Sequence, residues 1–69
     1  MRKPTGKQLR VYVEENRRLA AHRRAEADLY ENTASEVEAG VTEETPEYLR
    51  LNQAVIDTEA RLPKRFREN

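Results

Sequence analysis

The chain of 69 residues has no cysteine and a single histidine, so it lacks the side chains that most often staple a small fold. Without cysteine it can form neither a disulfide nor a thiolate zinc site, and His22 alone does not make a structural metal site. Small folds without staples depend on oligomerisation or on very regular helix packing. The composition indicates one small domain that needs a partner, and no metal or cofactor is expected.

Long apolar runs are also missing. No run exceeds three residues, as at 19–21 and 54–56, so neither a membrane-spanning segment nor a signal-peptide core is predicted. We therefore expect a cytoplasmic protein that does not associate with membranes. Ser35 is the only serine, and there is no glycine-rich phosphate loop. These absences argue against catalysis, so we expect no enzymatic activity.

Helix signals dominate the first half of the chain. Residues 7–39 contain neither proline nor glycine and are rich in alanine, glutamate, arginine and leucine, which favours one helix of about 50 Å. Thr5 and Gln8 have the spacing of a capping box, and residues 1–5 are predicted to be a flexible arm. Thr33 and Glu36 have the same spacing, so a break at 32–35 is the alternative to one continuous helix.

A second, shorter helix is predicted at residues 46–62. Thr45, Pro46 and Glu47 form a strong start signal, and Pro63 should end the helix. Its apolar face is formed by five residues: Tyr48, Leu51, Val55, Ile56 and Leu62. Because only a short turn at 40–45 separates the helices, we expect an all-α antiparallel hairpin followed by a basic tail at 63–69.

The first helix carries a coiled-coil pattern, in which seam positions alternate steps of four and three. The seam consists of Leu9, Val13, Asn16, Ala20, Arg23, Ala27, Tyr30, Ala34 and Val37. In the hairpin, this pattern predicts that Tyr30 lies near Val55, Ala34 near Leu51, and Val37 near Tyr48. Such packing covers only the second half of the first helix, so its N-terminal half needs cover from another chain.

Charged residues recur every seven positions beside this seam, and their sign changes halfway. The series comprises Lys3, Arg10, Arg17, Arg24, Glu31 and Glu38. Seven residues are close to two helical turns, so these side chains form one stripe. In an antiparallel pair centred between Ala27 and Asp28, Arg24 faces Glu31 of the other copy. The pattern therefore predicts a twofold homodimer.

The predicted dimer is an antiparallel four-helix bundle made of two hairpins. Its interface residues are the exposed apolar, small and charged positions of the first helix: Leu9, Tyr12, Val13, Arg17, Leu19, Ala20, Arg24, Ala27, Glu31, Ala34 and Glu38. Exposed ion pairs contribute about 0.2–1 kcal/mol each, so they would select orientation more than supply affinity. Burial of the apolar residues would supply the affinity.

Charge is separated along a chain whose net charge is zero. Residues 1–24 sum to +6, residues 25–49 to −8 and residues 50–69 to +2. Such asymmetry is typical of interaction surfaces. One alternative is a nucleic-acid-binding regulator, whose candidate contacts are Lys3, Lys7, Arg10, Arg18, Lys64, Arg65, Phe66 and Arg67.

The interpretation favoured by these patterns is a non-enzymatic interaction module: a small accessory, regulatory or assembly factor that pairs with itself and binds another protein. A structural component of a virus particle, which would form larger assemblies through its basic and acidic ends, is a further alternative. The predominance of arginine over lysine indicates a GC-rich coding genome, such as that of an actinobacterium or its phage, and not a function. His22 and Glu26 stand four residues apart on a helix, but two ligands do not make a metal site. We expect His22 to be an ordinary solvated side chain.

Overall fold

The computed structural model describes residues 3–67, which form two α-helices and one short 3-10 helix. Helix α1 spans Gly6–Glu38, helix α2 spans Pro46–Ala60, and the 3-10 helix spans Lys64–Phe66. The two α-helices pack against each other in a hairpin 56 Å long, so the predicted all-α hairpin is confirmed. The first two residues of the predicted arm and the last two of the predicted tail lie outside the described residues.

Helix α1 starts with the predicted capping box. The Thr5 hydroxyl accepts a hydrogen bond from the backbone N–H of Gln8 at 3.1 Å, and the Gln8 side chain accepts one from the Thr5 N–H at 2.7 Å. The alternative break at 32–35 does not occur. The Thr33 hydroxyl donates instead to the Leu29 carbonyl at 2.9 Å, which is compatible with an uninterrupted helix.

Gly40 ends α1 because the chain needs a positive φ at this position. Its φ is +82°, a conformation that side chains other than glycine rarely adopt. The N–H of Val41 then donates to the Glu36 carbonyl at 2.8 Å, and the N–H of Gly40 donates to the Val37 carbonyl at 3.0 Å. This pair of bonds is the Schellman motif, and it turns the chain sharply toward α2.

The start of α2 is tied directly to the end of α1. The Thr45 hydroxyl accepts a hydrogen bond from the Tyr48 N–H at 3.0 Å and donates one to the Glu36 carboxylate at 2.5 Å. Pro46 occupies the first helical position, and Glu47 places a negative charge in the first turn. A single threonine therefore caps one helix and links it to the other.

Helix α2 ends at Ala60, before the predicted end at residue 62. The guanidinium of Arg67 donates to the carbonyls of Ala60 at 2.8 Å and Leu62 at 2.9 Å. These bonds satisfy carbonyl groups that a helix end leaves without a partner. The basic tail therefore folds back on the helix it follows.

The two helices meet along a seam that we call the inner seam. On α1 it comprises the buried or half-buried residues His22, Ala25, Leu29, Asn32 and Glu36, and on the other side it comprises Tyr48, Leu51, Val55 and Thr58 of α2 and Leu62 just after it. Only His22, Ala25 and Leu62 are buried within residues 3–67, at 7%, 9% and 4% exposed. The amide nitrogen of Asn32 is buried without a hydrogen-bond partner. A core this small leaves the hairpin with little apolar burial of its own.

The seam predicted from the sequence is displaced from the inner seam by one or two residues. Tyr30 is 68% exposed and Ala34 is exposed, so neither packs under α2 as predicted, whereas Val37 lines the same hollow as Tyr48, as predicted. One residue corresponds to a rotation of about 100° and two to about 200°, so the predicted seam lies about 150° around the helix from the inner seam, on the side away from α2. We call the predicted series the outer seam. Ile56, placed on the apolar face of α2, is likewise 49% exposed.

Replacing Thr45 with alanine should lower the free energy of unfolding by about 1–2 kcal/mol, because the variant loses both the helix cap and the hydrogen bond to Glu36. Urea denaturation followed by circular dichroism measures this change. The matched control is Thr42→Ala, which removes an exposed threonine from the same turn. Its expected effect is within about 0.5 kcal/mol of zero. Equal losses in the two variants would contradict the role assigned to Thr45.

Candidate functional site

The outer seam and the charged stripe lie on the side of α1 that faces away from α2. Ala27 follows the inner-seam residue His22 by five positions, which places it about 140° around the helix. Arg24 follows His22 by two positions, or about 200°. Both residues are exposed, as are Arg17, Glu31 and Ala34. The hairpin therefore leaves nearly all of the predicted dimer interface uncovered.

The N-terminal part of α1 extends past α2, and we call residues 6–14 the overhang. Leu9, Tyr12 and Val13 in this segment are 50%, 60% and 44% exposed. Leu19 and Ala20 differ from the other predicted interface residues because both are half-buried. Leu19 lines a cleft together with Leu62 and Phe66 of its own chain. The unsheltered apolar surface is therefore shorter than the sequence indicates.

The turn at the other end of the hairpin, which we call the tip (residues 39–45), is acidic and contains no basic residue. Glu43 and Glu44 are exposed there, and Glu38 precedes them. Glu47 differs because Arg50 donates hydrogen bonds to both of its carboxylate oxygens, and this contact raises the pKa of Arg50 above its ordinary value. The tip and the overhang thus have opposite charge at opposite ends of α1.

The basic tail predicted to bind nucleic acid is largely engaged within the chain. Arg65 forms an ion pair with Glu15 at 2.9 Å, and its guanidinium lies 4.6 Å from the centroid of the Phe66 ring. Arg67 is held by the carbonyls at the end of α2. The side chain of Arg65 also lines a hollow with Lys7 and Tyr12, so the structure does bring the tail to the basic end of α1.

The remaining predicted nucleic-acid contacts are exposed. Lys3 precedes α1, Arg10 and Arg18 lie about 80° apart around α1, and Lys64 is on the 3-10 helix. Arg18 lines a hollow together with Arg17, Thr58 and Arg61.

His22 is buried, which corrects the expectation of a solvated side chain. It is 7% exposed because it lies on the inner seam, and its Nδ1 lies 3.0 Å from the Thr58 hydroxyl. That hydroxyl also donates to the Ala54 carbonyl at 2.8 Å. Nε2 of His22 is 3.7 Å from the Glu26 carboxylate. Within residues 3–67, no group of three or more potential ligands is placed to hold a metal ion.

Arg23 and Asn16, the two polar residues of the outer seam, make contacts within α1. Arg23 forms an ion pair with Glu26 at 3.2 Å, as the sequence allowed. The Asn16 amide donates to the Tyr12 carbonyl at 2.7 Å. Both hydrogen-bonding groups are therefore partly satisfied without a second chain.

Two functional contacts escaped the sequence analysis: the pairing of His22 with Thr58 and that of Glu36 with Thr45. Each polar residue occupies a position where an apolar one is expected. His22, Leu29 and Glu36 follow one another at steps of seven residues within α1, and this spacing was a signal that could have revealed the inner seam.

Replacing Arg65 with alanine should release the 3-10 helix from α1. The exposed ion pair contributes about 0.4–1 kcal/mol, so the Phe66 amide should exchange its hydrogen about two to five times faster. Hydrogen exchange monitored by NMR measures this rate. Lys64→Ala, which removes a neighbouring positive charge, serves as control and should leave the rate unchanged. An unaltered rate in the Arg65 variant would contradict the anchoring of the tail.

Within residues 3–67, neither helix has a segment that is both apolar enough and long enough to cross a membrane. Comparison of the chain with protein-family models, with curated proteins and with solved structures gave no match. The features of the molecule that bear on its function are therefore the exposed surfaces of the outer seam, the overhang and the tip.

Proposed function

We propose that this protein is a non-enzymatic protein–protein interaction module, a small accessory, regulatory or assembly factor that acts as a homodimer. The observation that carries the proposal is the exposed outer seam of α1, which has the heptad spacing of a helix interface but no cover from its own chain. The proposal includes a second, different protein as the eventual partner of the dimer.

The thin core supports a requirement for a second chain. Nine large apolar side chains are more than a third exposed, whereas only Ala25 and Leu62 are buried among the apolar residues described. Burying apolar surface contributes roughly 25 cal/mol per Å² to stability, so apolar side chains that stay exposed to water do not make this contribution. Four of the nine lie on the N-terminal part of α1: Leu9, Val11, Tyr12 and Val13.

The charge pattern supports an antiparallel arrangement of the two α1 helices. With the twofold axis between Ala27 and Asp28, Arg24 of one protomer faces Glu31 of its partner, and Arg17 faces Glu38. Each pair occurs twice, as an isologous contact requires. Small residues at positions 20, 27 and 34 allow the two helices to approach closely.

The position of the outer seam favours a particular form of four-helix assembly. The outer seam lies about 150° around α1 from the inner seam, so the two α1 helices pack in the centre and each α2 flanks its own α1. In a closed bundle, neighbours of a helix lie about 90° apart. We therefore propose a bundle that is opened toward a layer, with both α2 helices on the same side.

In sedimentation equilibrium at micromolar concentration, the protein should show a mass twice the 8.1 kDa of the chain. The expected mass follows from the unsheltered overhang and the outer seam of α1. The measurement should be repeated with Val13→Lys, which places a charge in the proposed interface and should shift the species toward monomer. A compact, fully helical monomer of the unaltered protein at this concentration would contradict the proposal.

A charge reversal tests the antiparallel register. Arg24→Glu should weaken the dimer about five- to thirtyfold, because it places two negative charges together at both copies of the pair, each reversal having a cost of order 0.5–1 kcal/mol. Adding Glu31→Arg to the same chain should restore the affinity. Arg18→Glu makes the same charge change on another face of α1 and should leave dimerisation unchanged. Failure of the double variant to recover would exclude this register.

The two alternatives have distinct signatures in solution. A nucleic-acid-binding regulator should bind with an affinity that falls steeply between about 50 and 200 mM salt. Engagement of Arg65 and Arg67 within the chain makes this function less favoured than dimerisation. A structural component of a virus particle should form assemblies larger than a dimer, which light scattering would detect.

A further inference from the structure

An open hollow of about 250 Å³ lies between the tip, the last turns of α1 and the start of α2. Val37 and Val41 supply exposed apolar surface to it, together with the ring of Tyr48. Glu36, Glu43 and Glu44 supply carboxylates. The hollow therefore combines an apolar wall with an acidic rim, a chemistry that suits a segment that is both basic and apolar.

The walls of this hollow are held in place by hydrogen bonds of the backbone and of side chains. The Schellman motif fixes Val41 against the last turn of α1, and the hydrogen bond from Thr45 to Glu36 joins the start of α2 to the same turn. The hollow thus lies between two elements that are locked together. A preformed site loses less conformational entropy when it is occupied.

The overhang has the complementary chemistry. Leu9 and Val13 lie on one side of it, where they line a hollow of about 310 Å³ with Arg10 and Arg17. This side of the helix is apolar with basic flanks. Residues 25–49, which include the tip, contain eight acidic and no basic residues. Charge and apolar surface therefore match between the two ends of α1, but these ends are far apart within one chain.

The antiparallel register brings the two ends together in a second copy. Val13 and Val41 lie almost equally far from the centre between Ala27 and Asp28, about fourteen residues on either side. Arg10 and Glu44 lie about seventeen residues from the same centre. Along the helix axis Val13 lies about 22 Å from this centre and the end of α1 at Glu38 about 16 Å, so an antiparallel twofold pair places Val13 and Arg10 just beyond the end of the partner's α1, beside the partner's tip.

We propose that the tip hollow is a docking site for the Leu9–Arg17 segment of a second copy of this chain. The inference rests on the proposed homodimer and identifies the surface that covers the overhang. The docking is reciprocal, so each dimer contains two occupied hollows, one at each end. Val13 packs against Val41, while Arg10 and Arg17 approach the acidic rim and the Glu38 carboxylate.

Charge excludes the neighbouring register of the same helix pair. Sliding one chain by seven residues, so that the overhang lies deeper along the partner's α1, keeps the small residues in contact because they recur every seven positions. It also brings Arg24 against Arg24 of the other protomer at the twofold axis. Like charges at close range are destabilising, so the register with the overhang in the tip hollow is favoured.

The test uses the absence of cysteine from the chain. In the double variant Val13→Cys with Val41→Cys, oxidation should form a disulfide between residue 13 of one protomer and residue 41 of the other. A disulfide requires Cα atoms within about 7 Å, whereas the two positions of one chain are about 40 Å apart along α1, so any bond between them joins two chains. Non-reducing electrophoresis should show a mass of twice 8.1 kDa.

Tryptic digestion with mass spectrometry identifies the linkage, and the expected cross-linked peptide is at least tenfold more abundant than peptides joining like positions. The matched control is Val11→Cys with Val41→Cys. Val11 is also exposed, but it lies about 200° around the helix from Val13, so its disulfide yield should be at least tenfold lower.

The outcomes separate this inference from the homodimer itself. If sedimentation gives a dimer but the 13–41 disulfide is absent or no more abundant than in the control, the docking site is excluded and the dimer stands. If the unaltered protein is monomeric, both are excluded. A dominant 13–41 linkage in a protein that sediments as a dimer supports both.

Discussion

The contact between α1 and α2 along the inner seam is the interaction on which the rest of the structure depends. Helix α2 has 15 residues against 33 in α1, so it covers less than half of the longer helix. Short helices are marginal in water without tertiary packing, and the packing here buries only a few side chains. The uncovered length of α1, with its exposed apolar residues, is a direct consequence of this difference in length.

The polar residues of the inner seam explain why α1 packs against α2 with this seam and not with the outer seam. His22 and Glu36 are polar, but each meets a threonine of the second helix or its cap. These hydrogen bonds fix the rotation of α1 against α2, because a buried polar group without its partner costs about 1–3 kcal/mol. The more apolar outer seam is thereby left exposed, and it is this surface that we propose as the dimer interface.

Charge separation along the chain gives the exposed surface a direction. The basic overhang and the acidic tip lie at opposite ends of α1, and an antiparallel pair brings unlike ends together at both ends of the assembly. In a parallel pair, like charges would lie side by side along the stripe. Exposed ion pairs are individually weak, so in the proposed dimer they would select orientation and register, while apolar contacts at the overhang and the tip would supply the affinity.

Local signals in the sequence determined the helices, their caps and the hairpin, because capping hydroxyls, Gly40 and Pro46 act through neighbouring backbone groups alone. The sequence also determined the heptad period and the separation of charge. Which of two seams on different sides of α1 meets α2 was decided only by the tertiary structure. The same is true of the partners of buried His22 and anchored Arg65. These partners, Thr58 and Glu15, are distant in sequence, and the spacing of residues within one helix does not identify a side chain that comes from another part of the chain.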